Sequence, residues 1–295
     1  MMAKKAERAM KVLVTGSHGV LGSAFVEVLK KRGIPYVPYD RAHPKSIARD
    51  ITAVVHFGGI TPHSLVRNKA PSKAAYHAAN VTGTATLLAT LSRMKKLTRF
   101  VNIGSASEYG FSSRPFRENS KGHPEGAYGQ SKLAQSILVE AFARTHKVKT
   151  FNLRIFNVMG FVTRRPIEGF VSDRPNIFTA LTDQFKKRPP RVIEVSSAKD
   201  VRDFVAMEDV LEAILAALTA KADGEYELVN ICSGHGTPIR DVVELFSKAL
   251  HLPYILKNLS RKKRQSVGVS EKAERLLAWH AKIPLEKAVR KYLEL

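Results

Sequence analysis

Near its start the chain runs through Lys11–Thr15 (KVLVT), a short apolar stretch, into Gly16-Ser17-His18-Gly19-Val20-Leu21-Gly22. The stretch Val20–Lys31 then carries apolar residues at helical spacing and stops before Gly33. Few folds accept that order. A buried strand delivering spaced glycines to the start of a helix is the phosphate loop of a doubly wound parallel α/β sheet. Without side chains the backbone can approach a pyrophosphate, whose charge then meets the amides and positive dipole of the helix start. A glycine pattern alone carries little; the strand–loop–helix context is what the mechanism requires.

The next segments keep the alternation. Pro35–Tyr39 reads as a strand ending at Asp40, and Ala53–Phe57 as another leading into Gly58-Gly59. Lys73–Met94 reads as a long helix, Arg99–Ile103 as a strand, Tyr128–His146 as a helix and Val148–Phe156 as a strand. This predicts parallel strands joined by right-handed helical crossovers. The segment from Asp40 to Ala53 is too short for a usual strand–helix–strand unit, so one crossover is shortened or lost. After Gly160 the pattern loosens. Phe161–Pro175 reads as a loop, Asn176–Lys187, Glu208–Ala220, Ile239–Leu250 and Leu285–Tyr292 as helices, and Arg191–Val195 as a strand. The expected division is a Rossmann-like dinucleotide-binding domain over 1–160 plus about 199–230. A smaller mixed substrate lobe takes about 161–198 and 231–295, with Trp279 in its core.

Composition narrows the class. A chain of 295 residues, 44% hydrophobic, can bury a full core. No apolar stretch approaches the ~20 residues that cross a bilayer, and Met1–Met10 is polar and basic, so neither a membrane span nor an export signal is expected. The single cysteine, Cys232, fits a reducing cytoplasmic compartment. The formal net charge of +22 attracts polyanions, phosphate-bearing ligands included. A solvated basic surface is the favoured reading, and specific nucleic-acid binding is not expected. His56, His63, His123 and His235 show no metal-site spacing, so no metal is expected and they are read as surface or loop residues.

Two local patterns carry chemistry. Tyr128-Gly129-Gln130-Ser131-Lys132 places a phenol and an amine one helical turn apart on one face. A nearby ammonium favours phenolate, so Lys132 is expected to lower the Tyr128 pKa and make it a general acid/base, while also holding the nicotinamide ribose. Arg99–Ile103 runs on to Ser105 at the carboxyl end of its strand, the edge where open α/β sheets bind ligands. Ser105 can hydrogen-bond a substrate oxygen there. Asp40 can accept the adenosine ribose hydroxyls, which favours NAD, whereas Arg41 could hold a 2′-phosphate and keeps NADP possible.

With these residues in place, the sequence resembles the extended short-chain dehydrogenases/reductases, the group of nucleotide-sugar epimerases, dehydratases and reductases. TGSHGVLG matches that group's TGxxGxxG loop, HFGG at His56–Gly59 sits where it has HLAA, and Asn80–Thr84 matches NVxGT. GSASEYG at Gly104–Gly110 is similar to SSxxVYG, YGQSK to YxxSK, LRIFNVMG at Leu153–Gly160 to LRxFNVYG, and the run from Val201 to Val210 to RDFVxVxDV. The resemblance implies Ser105, Tyr128 and Lys132 as the catalytic set. It implies cofactor contacts from the glycine loop, Asp40, Arg41, Asp50, Ile51, Phe57, Gly58, Gly59, Asn80 and Ile155. Substrate contacts would come from Ser105, Ser107, Tyr128, Asn157, Asn176 and Arg202, with Arg202 gripping the nucleotide diphosphate. Ile103–Gly110, Gly169–Asp173 and Asn230–Ile239 lean toward GDP-4-keto-6-deoxy-mannose reductases and similar 4-ketosugar reductases. Nucleotide-sugar 4-epimerases (or dehydratases), with NAD retained, stand as the alternative. A non-catalytic dinucleotide- or RNA-binding protein is the rival of another class, and the complete Ser, Tyr and Lys set argues against it. The family usually dimerises through the helices at Lys73–Met94 and Tyr128–His146, which implies a homodimer.

Overall fold

The computed structural model describes residues 10–39, 43, 47–64, 70–159, 177–221 and 223–294. Asp40, Arg41, Asn176 and the expected loop Phe161–Pro175 lie outside them. The first half runs β1 (Val12–Thr15), α1 (Val20–Arg32), β2 (Tyr36–Pro38), β3 (Ala53–His56), α2 (Lys73–Tyr76), α3 (Gly83–Leu91), β4 (Arg99–Ser105), α4 (Gly126–His146), β5 (Lys149–Ile155) and β6 (Asn157–Met159). The second half runs α5 (Ile177–Phe185), β7 (Val192–Val195), β8 (Val201–Ala206), α6 (Met207–Thr219), β9 (Tyr226–Ile231), β10 (Gly236–Pro238), α7 (Ile239–Leu250), β11 (Ile255–Asn258), β12 (Gln265–Ser266), α8 (Glu271–Leu277) and α9 (Leu285–Leu293).

The main sheet has the order β2-β1-β3-β4-β5-β9, with all pairs parallel. Strand residues alternate between two apolar layers. Val12, Val14, Val55 and Val101 meet Phe25 and Leu29 of α1 and Val210 and Ile214 of α6. Leu13, Val54 and Phe100 meet Leu87 and Leu91 of α3 and Val139 and Phe142 of α4. The chain leaves β1 for β2 on one side, then returns to β3 on the other. Such a reversal opens a crevice at the carboxyl ends of the strands.

The short crossover takes a specific form. Between β2 and β3 no helix or strand is present among the described residues. Ile51 fills the core with 0% exposure, and Asp50 forms a surface ion pair with Lys11 at 2.8 Å. The expected helix Lys73–Met94 is interrupted by a π-helical turn at His77–Thr82, which carries Asn80. Such turns recur at functional sites.

A second apolar cluster gathers Phe178, Phe204, Phe246 and Tyr292 from α5, β8, α7 and α9. Strand β8 pairs with β6, β10 and β12, away from the main sheet. Val201–Ala206, expected with the main sheet, therefore lies in the second sheet, while α6 packs into the first core and β9 joins the main sheet. Trp279 also departs from expectation. It is buried in the first core, and its indole Nε1 donates to the Asp209 carbonyl at 2.8 Å.

Candidate active site

The crevice above β1, β3 and β4 is a cleft of about 1330 Å³. Single small-molecule pockets usually span ~300–1,000 Å³, so it has room for two ligands side by side. The glycine loop forms one wall. The Gly19 amide donates to the Gly16 carbonyl at 2.9 Å, and Gly19 starts α1 with no side-chain cap on its amides. A Cβ on Gly22 would lie 2.1 Å from the Gly16 carbonyl oxygen, so only glycine allows this loop to close onto the helix. Ser17, His18, Val20 and Leu21 line the same wall, and Phe57, Gly58 and Gly59 continue it beyond β3. Asp50 and Ile51 do not line the cleft.

Across the cleft, β4 ends at Ser105 and turns through a 3₁₀ segment, Ala106–Glu108. The Ser105 hydroxyl accepts from the Ser107 amide at 3.2 Å, and the Ser105 amide donates to Glu108 Oε1 at 2.8 Å. Helix α4 begins at Gly126, so Tyr128 stands in its first turn and Lys132 one turn later. Gly129 lets the two elements meet, because a Cβ there would sit 2.5 Å from the Ser107 carbonyl oxygen. That approach brings the Ser105 hydroxyl close enough to the Tyr128 phenol to favour its ionised form. We expect Gly129→Ala to push the Ser105 turn away from Tyr128. Backbone would have to yield to side chain, so turnover should fall by about 10²-fold while the melting temperature moves little; unchanged kinetics would contradict it.

The electrostatics correct one expectation. Burial pushes the Tyr128 phenol up to about 12, against a lowering by the Ser105 hydroxyl, and Glu108 and Tyr76 push it further up. The Lys132 ammonium does not lower it. Its Nζ donates instead to the Ile103 carbonyl at 2.6 Å and to Gln135 Oε1. Burial brings Lys132 down to about 8, opposed by the Glu108 charge.

The other expected residues divide. Ile155 is buried and lines the cleft, and Ser107 is exposed at its rim. The Asn80 side chain is buried and turned to structure: its Oδ1 accepts from the Ile60 amide at 2.7 Å, and its Nδ2 donates to Ser131 Oγ at 2.9 Å. The Asn157 amide nitrogen donates to the Asp203 carbonyl at 2.8 Å while the residue faces the cleft. Arg202 faces the cleft too, but one guanidinium nitrogen donates to Asp200 Oδ2 at 2.8 Å.

Sequence reasoning missed several participants. Arg264 joins Arg202 on Asp200 at 2.8 Å, and the two guanidinium groups lie over the Phe111 ring at 4.8 and 5.1 Å. Burial pushes the Asp200 carboxyl up, but hydrogen bonds from Arg264 and the charges of both arginines outweigh it and hold it below the usual range. Glu108, wholly buried, takes Arg154 Nε and Ser136 Oγ on Oε2, both at 2.8 Å. The signal was present, since Ser105-x-x-Glu108 is a capping-box pattern. His56, expected at the surface, is buried between Thr15 and Thr84 at 2.7 and 2.9 Å. Among the described residues no cluster of His, Cys, Asp or Glu could hold a metal, and no helix is long and apolar enough to cross a membrane.

Comparison with known proteins agrees with this layout. Residues 12–232 match the model of the NAD dependent epimerase/dehydratase family. A UDP-glucose 4-epimerase of Lactobacillus helveticus is 27% identical over 317 residues, covering 92% of each chain. One from Azospirillum brasilense is 27% identical over 277 residues, 82% of this chain and 78% of that protein. Among solved structures, the UDP-glucuronic acid 4-epimerase of Bacillus cereus, in complex with UDP-glucuronic acid and NAD, superposes with TM-score 0.80. It has 21% identity and covers 97% of this chain and 98% of its own. RMD from Pseudomonas aeruginosa, complexed with NADPH, gives TM-score 0.80 at 24% identity, covering 98% and 97%. The strand–glycine loop–helix start, the Ser105, Tyr128 and Lys132 set and the family match together make this chain a member of the NAD dependent epimerase/dehydratase family, of the extended short-chain dehydrogenase/reductase type.

Proposed function

We propose that the protein is a nucleotide-sugar 4-epimerase that keeps its nicotinamide cofactor bound, NAD being favoured and NADP possible. The observation that carries this is the convergence of the Ser105 hydroxyl and the Tyr128 phenol at the carboxyl edge of β4, with Lys132 one turn on, all three lining one cleft with room for both ligands. The uncapped start of α1 and the close-packed Gly16–Gly22 loop fit a pyrophosphate. Arg202 and Arg264, which also line the cleft, fit a second one, on the sugar nucleotide. The named relatives are UDP-glucose 4-epimerases, which supports the epimerase reading over the reductase one; the support for the latter is the local sequence at Ile103–Gly110 and Asn230–Ile239.

When bound, the nicotinamide would supply a hydride acceptor and, in its oxidised form, a positive ring charge that favours phenolate. Tyr128 would take the proton from the sugar 4-hydroxyl and return it after the sugar has turned its other face. Ser105 would hold the same oxygen through a hydrogen bond that tightens as negative charge develops. Lys132 would hold the nicotinamide ribose.

The test is to purify the protein, release and identify its bound nucleotide, and incubate it with UDP-glucose and UDP-galactose. Retained NAD with interconversion of the two supports the proposal. Stoichiometric oxidation of added NAD(P)H by a nucleotide 4-ketosugar, with no nucleotide retained, would replace it with the reductase reading. Turnover is expected to fall as pH rises through about 8, where Lys132 loses its proton. A Lys132→Arg variant should lack that alkaline limb, and a limb that persists in it belongs to another group. We also propose a homodimer through α4, where Ile137 is 60% exposed; light scattering on the eluted protein should give twice the chain mass.

A further inference from the structure

We propose that Gln135 is the positioning residue for Lys132, and that the Thr84 hydroxyl oxygen and the Gly58 carbonyl fix which end of the Gln135 amide faces it. This rests on the reading of Tyr128 and Lys132 as the reacting pair. Gln135 is wholly buried one turn along α4 from Lys132. Its Oε1 accepts from Lys132 Nζ. Its Nε2 lies 2.9 Å from Thr84 Oγ1, 3.0 Å from His56 Nε2 and 3.3 Å from the Gly58 carbonyl.

The two ends of a carboxamide have the same shape, so packing cannot choose between them. The choice falls to hydrogen bonding. Thr84 donates its hydroxyl proton to the Asn80 carbonyl at 2.8 Å, which leaves its oxygen as an acceptor. The Gly58 carbonyl is an acceptor by nature. His56 Nδ1 lies 2.7 Å from Thr15 Oγ1. Thr15 accepts the Gly58 amide at 2.9 Å and gives its own proton to Nδ1, so His56 Nε2 carries the ring proton and donates to the Thr84 oxygen at 2.9 Å. Two acceptors around one end of the amide demand the NH₂ group, so the carbonyl is presented to Lys132. An ammonium has three N–H donors. The Ile103 carbonyl and Gln135 take two, which leaves the third for the cleft that Lys132 lines.

The charged and titratable groups around Lys132 are Glu108 from the 3₁₀ turn, Tyr128 from α4 itself and, behind Gln135, His56 from β3. Gln135 is the neutral group in direct contact with the ammonium whose substitution can move the balance either way. Removing its carbonyl leaves the buried ammonium with one fewer acceptor and lowers the Lys132 pKa. Replacing it with a carboxylate raises that pKa.

The experiment follows Lys132 directly in the full-length protein, labelled with lysine carrying ¹³C at Cε and titrated by NMR. The Lys132 signal is identified by its loss in Lys132→Arg. Gln135→Leu should move the midpoint down and Gln135→Glu should move it up, each by about one pH unit or more. The alkaline limb of kcat should move in the same two directions, with KM for the sugar nucleotide little changed. Gln135→Glu conserves shape, so it keeps the inference testable if the leucine variant fails to fold. Midpoints identical in wild type and the folded variants would overturn the inference. Midpoints that move in a protein with no epimerase or reductase turnover would uphold the positioning role and reject the function proposed above.

Discussion

Tyr128→Phe is expected to lower turnover by about 10²–10⁴-fold, the usual contribution of a positioned general acid/base, and to leave nucleotide binding within a few-fold. The substitution removes one oxygen. The ring keeps its packing against Tyr76, whose centroid lies 5.7 Å away, and the helix keeps its first turn. Ser105 loses a neighbouring hydroxyl but retains its cap on the Ser107 amide. Binding and stability therefore have little reason to change, while the proton of the sugar hydroxyl loses its acceptor. Ser105→Ala should cost less, since it removes a donor to the developing charge but leaves the acid/base. The double variant should be little worse than Tyr128→Phe, because residues acting as a unit are not additive. Steady-state kinetics with measurement of retained nucleotide checks all three. A phenylalanine variant keeping more than about a tenth of wild-type turnover would be incompatible with the assigned chemistry.

What the sequence disclosed about this site follows from how local each demand is. The Gly16–Gly22 loop was legible because glycine there answers a contact made within the loop itself, Gly22 against the Gly16 carbonyl. Tyr128 and Lys132 were legible because helix geometry alone sets them one turn apart, and Ser105 because a strand ends where ligands bind. The short Asp40–Ala53 segment announced a lost crossover, although not that Ile51 would fill the core in its place. Residues whose role depends on strand register stayed hidden. Arg154 reaches Glu108 because β5 sets it beside Gly104, a pairing no spacing in the chain reveals. Arg264 reads as part of a solvated cation run until β12 lies along β8 and brings it to Asp200. His56 reads as a surface or loop histidine, and only the packing of α3 and α4 over it supplies Thr84 and Gln135. Strand β8 has the pattern of any buried strand, so its place in the second sheet was not readable from Val201–Ala206 alone.

Glu108→Leu is the substitution expected to damage stability most. Glu108 and Arg154 form an ion pair with side-chain exposures of 0% and 7%, at 2.8 Å. The carboxylate also receives the Ser105 amide and the Ser136 hydroxyl, and the Arg154 guanidinium lies 4.2 Å above the Tyr109 ring. Deleting the carboxylate leaves a buried guanidinium without its counter-charge, which typically costs about 3–5 kcal/mol. For a chain of this size that lowers the melting temperature by on the order of 10 °C. Glu108→Leu with Arg154→Met removes both charges and should recover most of the loss, since apolar replacement of a whole buried pair is often neutral. Activity should not return with stability. The Ser105 amide then has no acceptor, and only the bond from the Ser107 amide to the Ser105 hydroxyl remains in the 3₁₀ turn to hold Ser105 against Tyr128. Calorimetry and kinetics on the single and double variants separate the two roles. A single variant as stable as wild type would mean that Arg154 finds another partner, and a double variant with full turnover would mean that Ser105 is placed by α4 rather than by Glu108.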